Sequence, residues 1–127
     1  MRYHDHALCG YEVRDFGGTI ILRLSLRAED GEVVRSEICF EEVAFYHFIH
    51  TSSAIILDIA DIPLARFVAR FEKELPAWDH RQGAWIWRDD SANTLSELQR
   101  LGLRAWEIDS AVGFTGWVVA KEVRQME

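Results

Sequence analysis

Histidines at alternate positions, carboxylates three apart and a serine beside an aspartate are the residues of this chain with types and spacings that reactive sites use. His4 and His6 flank Asp5. Alternate residues of an extended strand face the same way, so the two imidazoles could share a metal ion. A zinc centre needs three or four ligands. His47 and His50 would have to complete the set, and no spacing ties the two pairs together. Asp58 and Asp61 are a second candidate, since paired carboxylates do acid–base work when burial raises the pKa of one of them. Asp61, however, stands where a helix cap is due, and Asp58 fits a turn. Asp79-His80 and Asp109-Ser110 hold the parts of a serine triad, yet Ser110 lacks the tight G-x-S-x-G setting that presents a nucleophile. Cys9 and Cys39 match no metal motif and are expected as buried, reduced thiols. Gly113-x-x-Gly116 opens no helix and reads as a turn, not a phosphate loop. The expectation is a non-enzymatic chain with no catalytic set, no metal and no cofactor.

Binding chemistry is better represented. Trp78, Trp85 and Trp87 cluster in a segment of weak core periodicity, with Asp79, Asp89 and Asp90 beside them. Tryptophan serves either a core or an interface, and it is enriched where binding energy concentrates. Trp78, Trp85, Trp87, Asp89 and Asp90 are therefore the candidate binding residues, as an acidic aromatic patch. The formal net charge of −7 agrees with that choice. Such a chain repels a phosphate backbone, which argues against nucleic acid and anionic membranes and favours a basic protein partner. No apolar run approaches the ~18 residues that a spanning helix needs. The N-terminus carries no apolar signal core, so the expected compartment is the cytoplasm.

The elements that must position these residues follow from periodicity. One domain is expected over residues 1–127. Residues 8–15 read as a strand, Gly17-Gly18 as a turn, and 19–27 as a half-buried strand with Ile20, Leu22, Leu24 and Leu26 on one face. Asp30-Gly31 is a hairpin signal, and the chain returns over 32–40. Residues 43–50 are aromatic and β-favouring and are read as a strand. Thr51-Ser52-Ser53 marks a turn, and 54–59 a buried central strand. A helix then runs from an Asp61 cap through Pro63 to Pro76, with Leu64, Phe67, Val68, Phe71 and Leu75 in one stripe. Residues 77–83 form a loop and 84–87 a short strand. A second helix starts near Thr94, with Glu97 completing a capping box and Gly102 ending it. Leu103–Val123 is expected to be a closing hairpin around Gly113 and Gly116, with Trp106 and Trp117 at its sides. The fold class is α+β: an antiparallel sheet with two helices packed on one face. Leu64, Phe67, Val68 and Phe71 should then meet Ile20, Leu22, Ile56 and Trp117.

The strings ICFEEV at 38–43, IILDI at 55–59 with the helix after Pro63, and GFTGWVVAKEV at 113–123 resemble a group of small bacterial proteins that includes immunity proteins, which neutralise a toxin of the same or a neighbouring cell. The resemblance implies protein binding, and an acidic inhibitor of that kind would occupy a basic surface on its partner. The alternative is a small-molecule-binding protein or hydrolase with a cleft near Asp58 and Asp61.

Overall fold

The computed structural model describes residues 2–71 and 91–126. Four strands dominate: β1 (Arg2–Arg14), β2 (Thr19–Arg27), β3 (Val33–Ile62) and β4 (Arg104–Met126). Among the described residues two helices, α1 (Leu64–Phe71) and α2 (Ser91–Arg100), lie between β3 and β4. β3 alone has 30 residues and β4 has 23, against 8 and 10 in the helices. The α+β expectation of a sheet layered by two helices on one face is therefore overturned. The chain is mostly antiparallel β-sheet in the order β1-β2-β3-β4, with β1 pairing to β3 as well.

The local signals around β2 act as read. Ile20 stands opposite Phe40, and Leu22 opposite Ile38. All four are completely buried, which is worth roughly 1.5–3 kcal/mol for each large side chain before chain entropy is counted. The Asp30-Gly31 turn closes the β2–β3 hairpin. Gly31 takes φ +86, its N–H donates to the Ala28 carbonyl at 2.9 Å, and the Asp30 carboxylate accepts from the Glu32 N–H at 2.9 Å.

Two expected turns prove to be one bend. The chain does not reverse at Thr51-Ser52-Ser53, nor at Gly113 and Gly116: β3 and β4 run on through both places and pair on either side of the bend, from Glu37 opposite Met126 to Ile62 opposite Ala105. His50 faces Phe114 and Ile55 faces Val112, so residues 51–54 bulge out against Gly113 alone. An unequal count of this kind bends a strand pair sharply. Gly113 has φ +83, and a Cβ there would collide with the Ser53 carbonyl oxygen and lie 2.7 Å from that of Ser52, so only glycine fits the inside of the corner. Gly116 sits opposite Phe48, whose ring occupies the space that a Cβ would need. Beyond the corner β3 comes back to β1. Ala7 is opposite Ser25 on one edge and Ile55 on the other, and the sheet closes on itself through β1.

The closed sheet holds the main core, which includes Leu22, Leu24, Phe40, Ile56, Trp106, Ile108 and Val118. Phe67 and Val68 of α1 and Leu98 of α2 build a second cluster with Ile62, Leu103, Ala105, Trp117 and Val119. The expected meeting of the α1 stripe with Trp117 occurs, with Phe67 edge-on to its ring at 5.2 Å. The expected meeting with Ile20, Leu22 and Ile56 does not, because those side chains point into the closed sheet while α1 lies outside it. Asp61 is also not the cap of α1. It belongs to β3, and its carboxylate accepts a hydrogen bond from Arg104. Thr94 lies inside α2, which begins three residues earlier, and Glu97 pairs with Arg100. Gly102 does end α2: with φ +72 it lets the Leu103 N–H donate to the Leu98 carbonyl at 3.0 Å, and both leucines are buried in the second cluster.

Candidate functional site

The acidic aromatic patch of Trp78, Trp85, Trp87, Asp89 and Asp90 lies outside the described residues, as do Asp79 and His80. The other expected groups can be placed. His47 and His50 fall on opposite faces of β3. His47 stacks on Trp117 at 5.9 Å, while His50 meets Phe114 at 5.5 Å and Tyr11 at 5.8 Å. His6 is on β1, opposite Ile56. Among the described residues no three His, Cys, Asp or Glu side chains stand close enough together to hold a metal ion. Cys39 is buried, but Cys9 is exposed, contrary to expectation. A register irregularity between Leu8 and Gly10 turns Leu8 into the core and leaves the Cys9 thiol donating to the Ser25 hydroxyl at 3.0 Å. Ser110 is a brace for the corner: its hydroxyl donates to the Phe114 carbonyl.

Asp58 and Asp61 border a notch of about 300 Å³ beside α1, lined also by Arg66, Arg70, Glu107 and Asp109. Asp58 stands directly opposite Asp109. Two of the notch's carboxylates are engaged by arginine, Glu107 by Arg70 at 2.5 Å and Asp61 by Arg104.

A wider concavity lies elsewhere, and sequence reasoning missed it. A groove of about 650 Å³ runs between the β1–β2 turn and β3, lined by Val13, by Asp15 to Gly18 and by every residue from Val43 to Phe48. Its lip is Phe16. The turn Asp15–Gly17 is a single 3₁₀ turn in which Asp15 (φ 54) and Phe16 (φ 56) both take the left-handed conformation. That conformation costs a residue with a Cβ roughly 1–2 kcal/mol. Aspartate reaches it more easily through its short polar side chain, so the cost falls mainly on Phe16, whose ring is fully exposed to water. The turn is pinned by the Gly18 N–H donating to the Asp15 carbonyl at 3.0 Å, and by the Thr19 hydroxyl donating to the Asp15 carboxylate at 3.2 Å. Tyr11 and Val13, both exposed, continue the apolar rim along β1. One sequence signal was available: Phe16 is a large apolar residue in a turn otherwise built from aspartate and glycine.

The charges near this end are ordered. Glu12 lies between Arg14 and Arg23, accepting from Arg23 at 2.7 Å, and the Arg14 guanidinium followed by that of Arg23 holds its carboxyl down at about 2. Asp15 is the carboxylate of the groove lining, and Glu42 flanks it with φ 51 and its carboxylate 3.9 Å from Lys121. The arrangement offers apolar contact, stacking on exposed aromatic faces and the carboxylate of Asp15. It suits recognition of an apolar side chain next to a basic one.

No protein-family model matches the chain, and no similar protein is found among the curated proteins or the solved structures. Among the described residues no helix is long and apolar enough to cross a membrane.

Proposed function

We propose that this chain is a non-enzymatic, cytoplasmic interaction domain of immunity type, which binds a basic partner protein through an acidic surface bearing exposed aromatic side chains. The observation that carries the proposal is Phe16. A fully exposed ring on two consecutive left-handed residues, at the lip of a groove of about 650 Å³, is a costly arrangement for a side chain with nothing to bind. Strain of this sort concentrates where function requires it. The net charge of −7, with Asp15 in the groove, favours a basic partner and speeds encounter with it. The notch at Asp58 and Asp61 would be the seat of the small-molecule alternative. Two of its carboxylates, Glu107 and Asp61, are already engaged by Arg70 and Arg104, and among the described residues no exposed aromatic side chain lines it, so the groove has the better claim.

Affinity purification from the native cell tests the proposal, with Phe16→Asn as the comparison, since asparagine tolerates the left-handed conformation. The parent should retain a basic protein in near-stoichiometric amount, and the variant should retain at least tenfold less. Equal retention by parent and variant, or by neither, would reject the reading.

A further inference from the structure

The loop that walls the groove has the opposite hand to the one its length favours. Arg14 is opposite Thr19, so Asp15–Gly18 is a four-residue hairpin loop. Loops of that length are most often built around a type I turn, with negative φ at both central residues. Here Asp15, Phe16 and Gly17 have φ of 54, 56 and 93, and the Gly18 N–H donates to the Asp15 carbonyl at 3.0 Å. That is a type I′ turn, whose first central position suits glycine, asparagine or aspartate, and Phe16 holds it. We propose that this loop is a two-state lid. In the outward state, described above, the Phe16 ring stands in water. In the inward state the turn is type I and the ring seats in the chain's own groove. Resting on the interaction reading above, the partner takes the outward state and competes with Phe16 for the groove.

Reversing the sign of φ at Phe16 exchanges the directions of its Cβ and Hα about the loop, and the ring crosses from the solvent side to the groove side. The move also relieves the left-handed strain on a residue that tolerates it poorly. The bond from Gly18 to Asp15 survives, because both turn types make it. Gly17 is the other residue that must change sign. Glycine takes either sign readily, and among the described residues nothing lies within 4 Å of a Cβ built there.

The seat suits a phenyl ring. The groove of about 650 Å³ is lined by Val13, Val43, Phe45, Tyr46 and Phe48. Val13 is exposed and the other four are half-buried, so each keeps apolar surface that closure would remove from water. Against closure stands the twist of β1 and β2, which the primed turn matches and the type I turn does not. Apolar contact and a relaxed backbone oppose strand twist, and the inward state is the minority one.

Fluorine NMR of the full chain labelled with para-fluorophenylalanine tests the lid, and Phe16→Asn identifies the position-16 signal among those of seven phenylalanines. In the parent a dissolved gadolinium chelate should relax that signal strongly. Saturation transfer should reveal a second, protected signal with a population of at most about 10%. Gly17→Ala should raise that population about tenfold, because alanine resists positive φ. The ring should then show nuclear Overhauser contacts to Val43 or Tyr46. Gly17→Asn, which tolerates positive φ, should match the parent. A ring as accessible in Gly17→Ala as in the parent, or a protected ring whose contacts avoid Val13 and residues 43–48, would overturn the lid. If Gly17→Ala fails to fold, the parent decides: a protected second signal upholds the lid, and its absence overturns it. Protection that grows with protein concentration would assign the ring's seat to a second copy of this chain and also overturn it. None of these readouts involves a partner. A static loop therefore leaves the interaction reading intact, and failure to retain a basic protein in the purification leaves the lid to be judged on these spectra.

Discussion

Gly113→Ala should be among the most damaging small substitutions in this protein, and its cost can be worked in two parts. The first is conformational: at φ +83 an alanine pays roughly 1–2 kcal/mol that glycine does not. The second is steric. The new Cβ would collide with the Ser53 carbonyl oxygen and lie 2.7 Å from that of Ser52, both backbone atoms that cannot swing aside, and relief requires opening the corner. Forced overpacking of this order costs roughly 1–3 kcal/mol. The total is about 2–5 kcal/mol, a large share of the roughly 5–15 kcal/mol that holds a domain together. Gly102→Ala is the control. Gly102 also has positive φ, at +72, but nothing lies within 4 Å of its added Cβ, so it should show the conformational part alone, about 1–2 kcal/mol. Urea unfolding of both variants and the parent measures each cost as a shift in midpoint at constant slope. If the two substitutions destabilise equally, the corner is not sterically closed and the bent course of β3 and β4 is wrong.

Phe67→Ala should cost roughly 3–5 kcal/mol, because the ring is fully buried against Trp117 in the small cluster that joins α1 and α2 to the sheet; thermal or urea unfolding checks it. Phe16→Asn should leave stability unchanged or raised by up to about 1 kcal/mol in the same assay, since it removes an exposed ring from a strained position while abolishing binding. Glu12 carries a pH signature. Its folded pKa of about 2 lies below the ordinary value of 4.5, so the folded chain keeps it charged where the unfolded chain binds a proton. Its contribution is therefore complete above pH 4.5 and is lost as pH falls toward 2; Glu12→Gln should flatten the stability–pH curve within that window, lower stability by a constant amount above it and converge with the parent near pH 2. Melts with and without a chelator should coincide, and a fall of many degrees in chelator would show a metal site built on the histidines.

The parts of the fold that the sequence disclosed are those fixed by near neighbours. The alternation of Ile20, Leu22 and Leu24, the Asp30-Gly31 turn and the Gly102 stop each depend on a few adjacent residues, and each stands as read. The strand reading of 43–50 holds for the same reason: its aromatic residues suit a pleated surface. The corner was not legible because serine, threonine and glycine punctuate the chain identically whether it reverses or bulges. The difference lies in the partner strand: residues 51–54 have Gly113 and Val112 to pair around, so the bend continues the ladder instead of ending it. That misreading produced the expected C-terminal hairpin, and with it too short a sheet and too large a share for the helices. The site fared less well. The tryptophan patch fell on residues 78–90, beyond the described part of the chain. The groove escaped notice because it is made by chain topology, the early end of β2 beside a longer β3, and no motif records that.

The most direct test of the central claim replaces Phe16 with the photoreactive p-benzoyl-phenylalanine in the native cell. Val33, exposed at the opposite end of the β2–β3 pair, carries the same group as a control. On irradiation the position-16 probe should give a discrete crosslink to one basic protein, with the bond mapped by mass spectrometry to one segment of that partner, and the position-33 probe should give none. Crosslinking from position 33 but not from position 16, or the same diffuse products from both, would contradict the assignment of this groove as the binding surface.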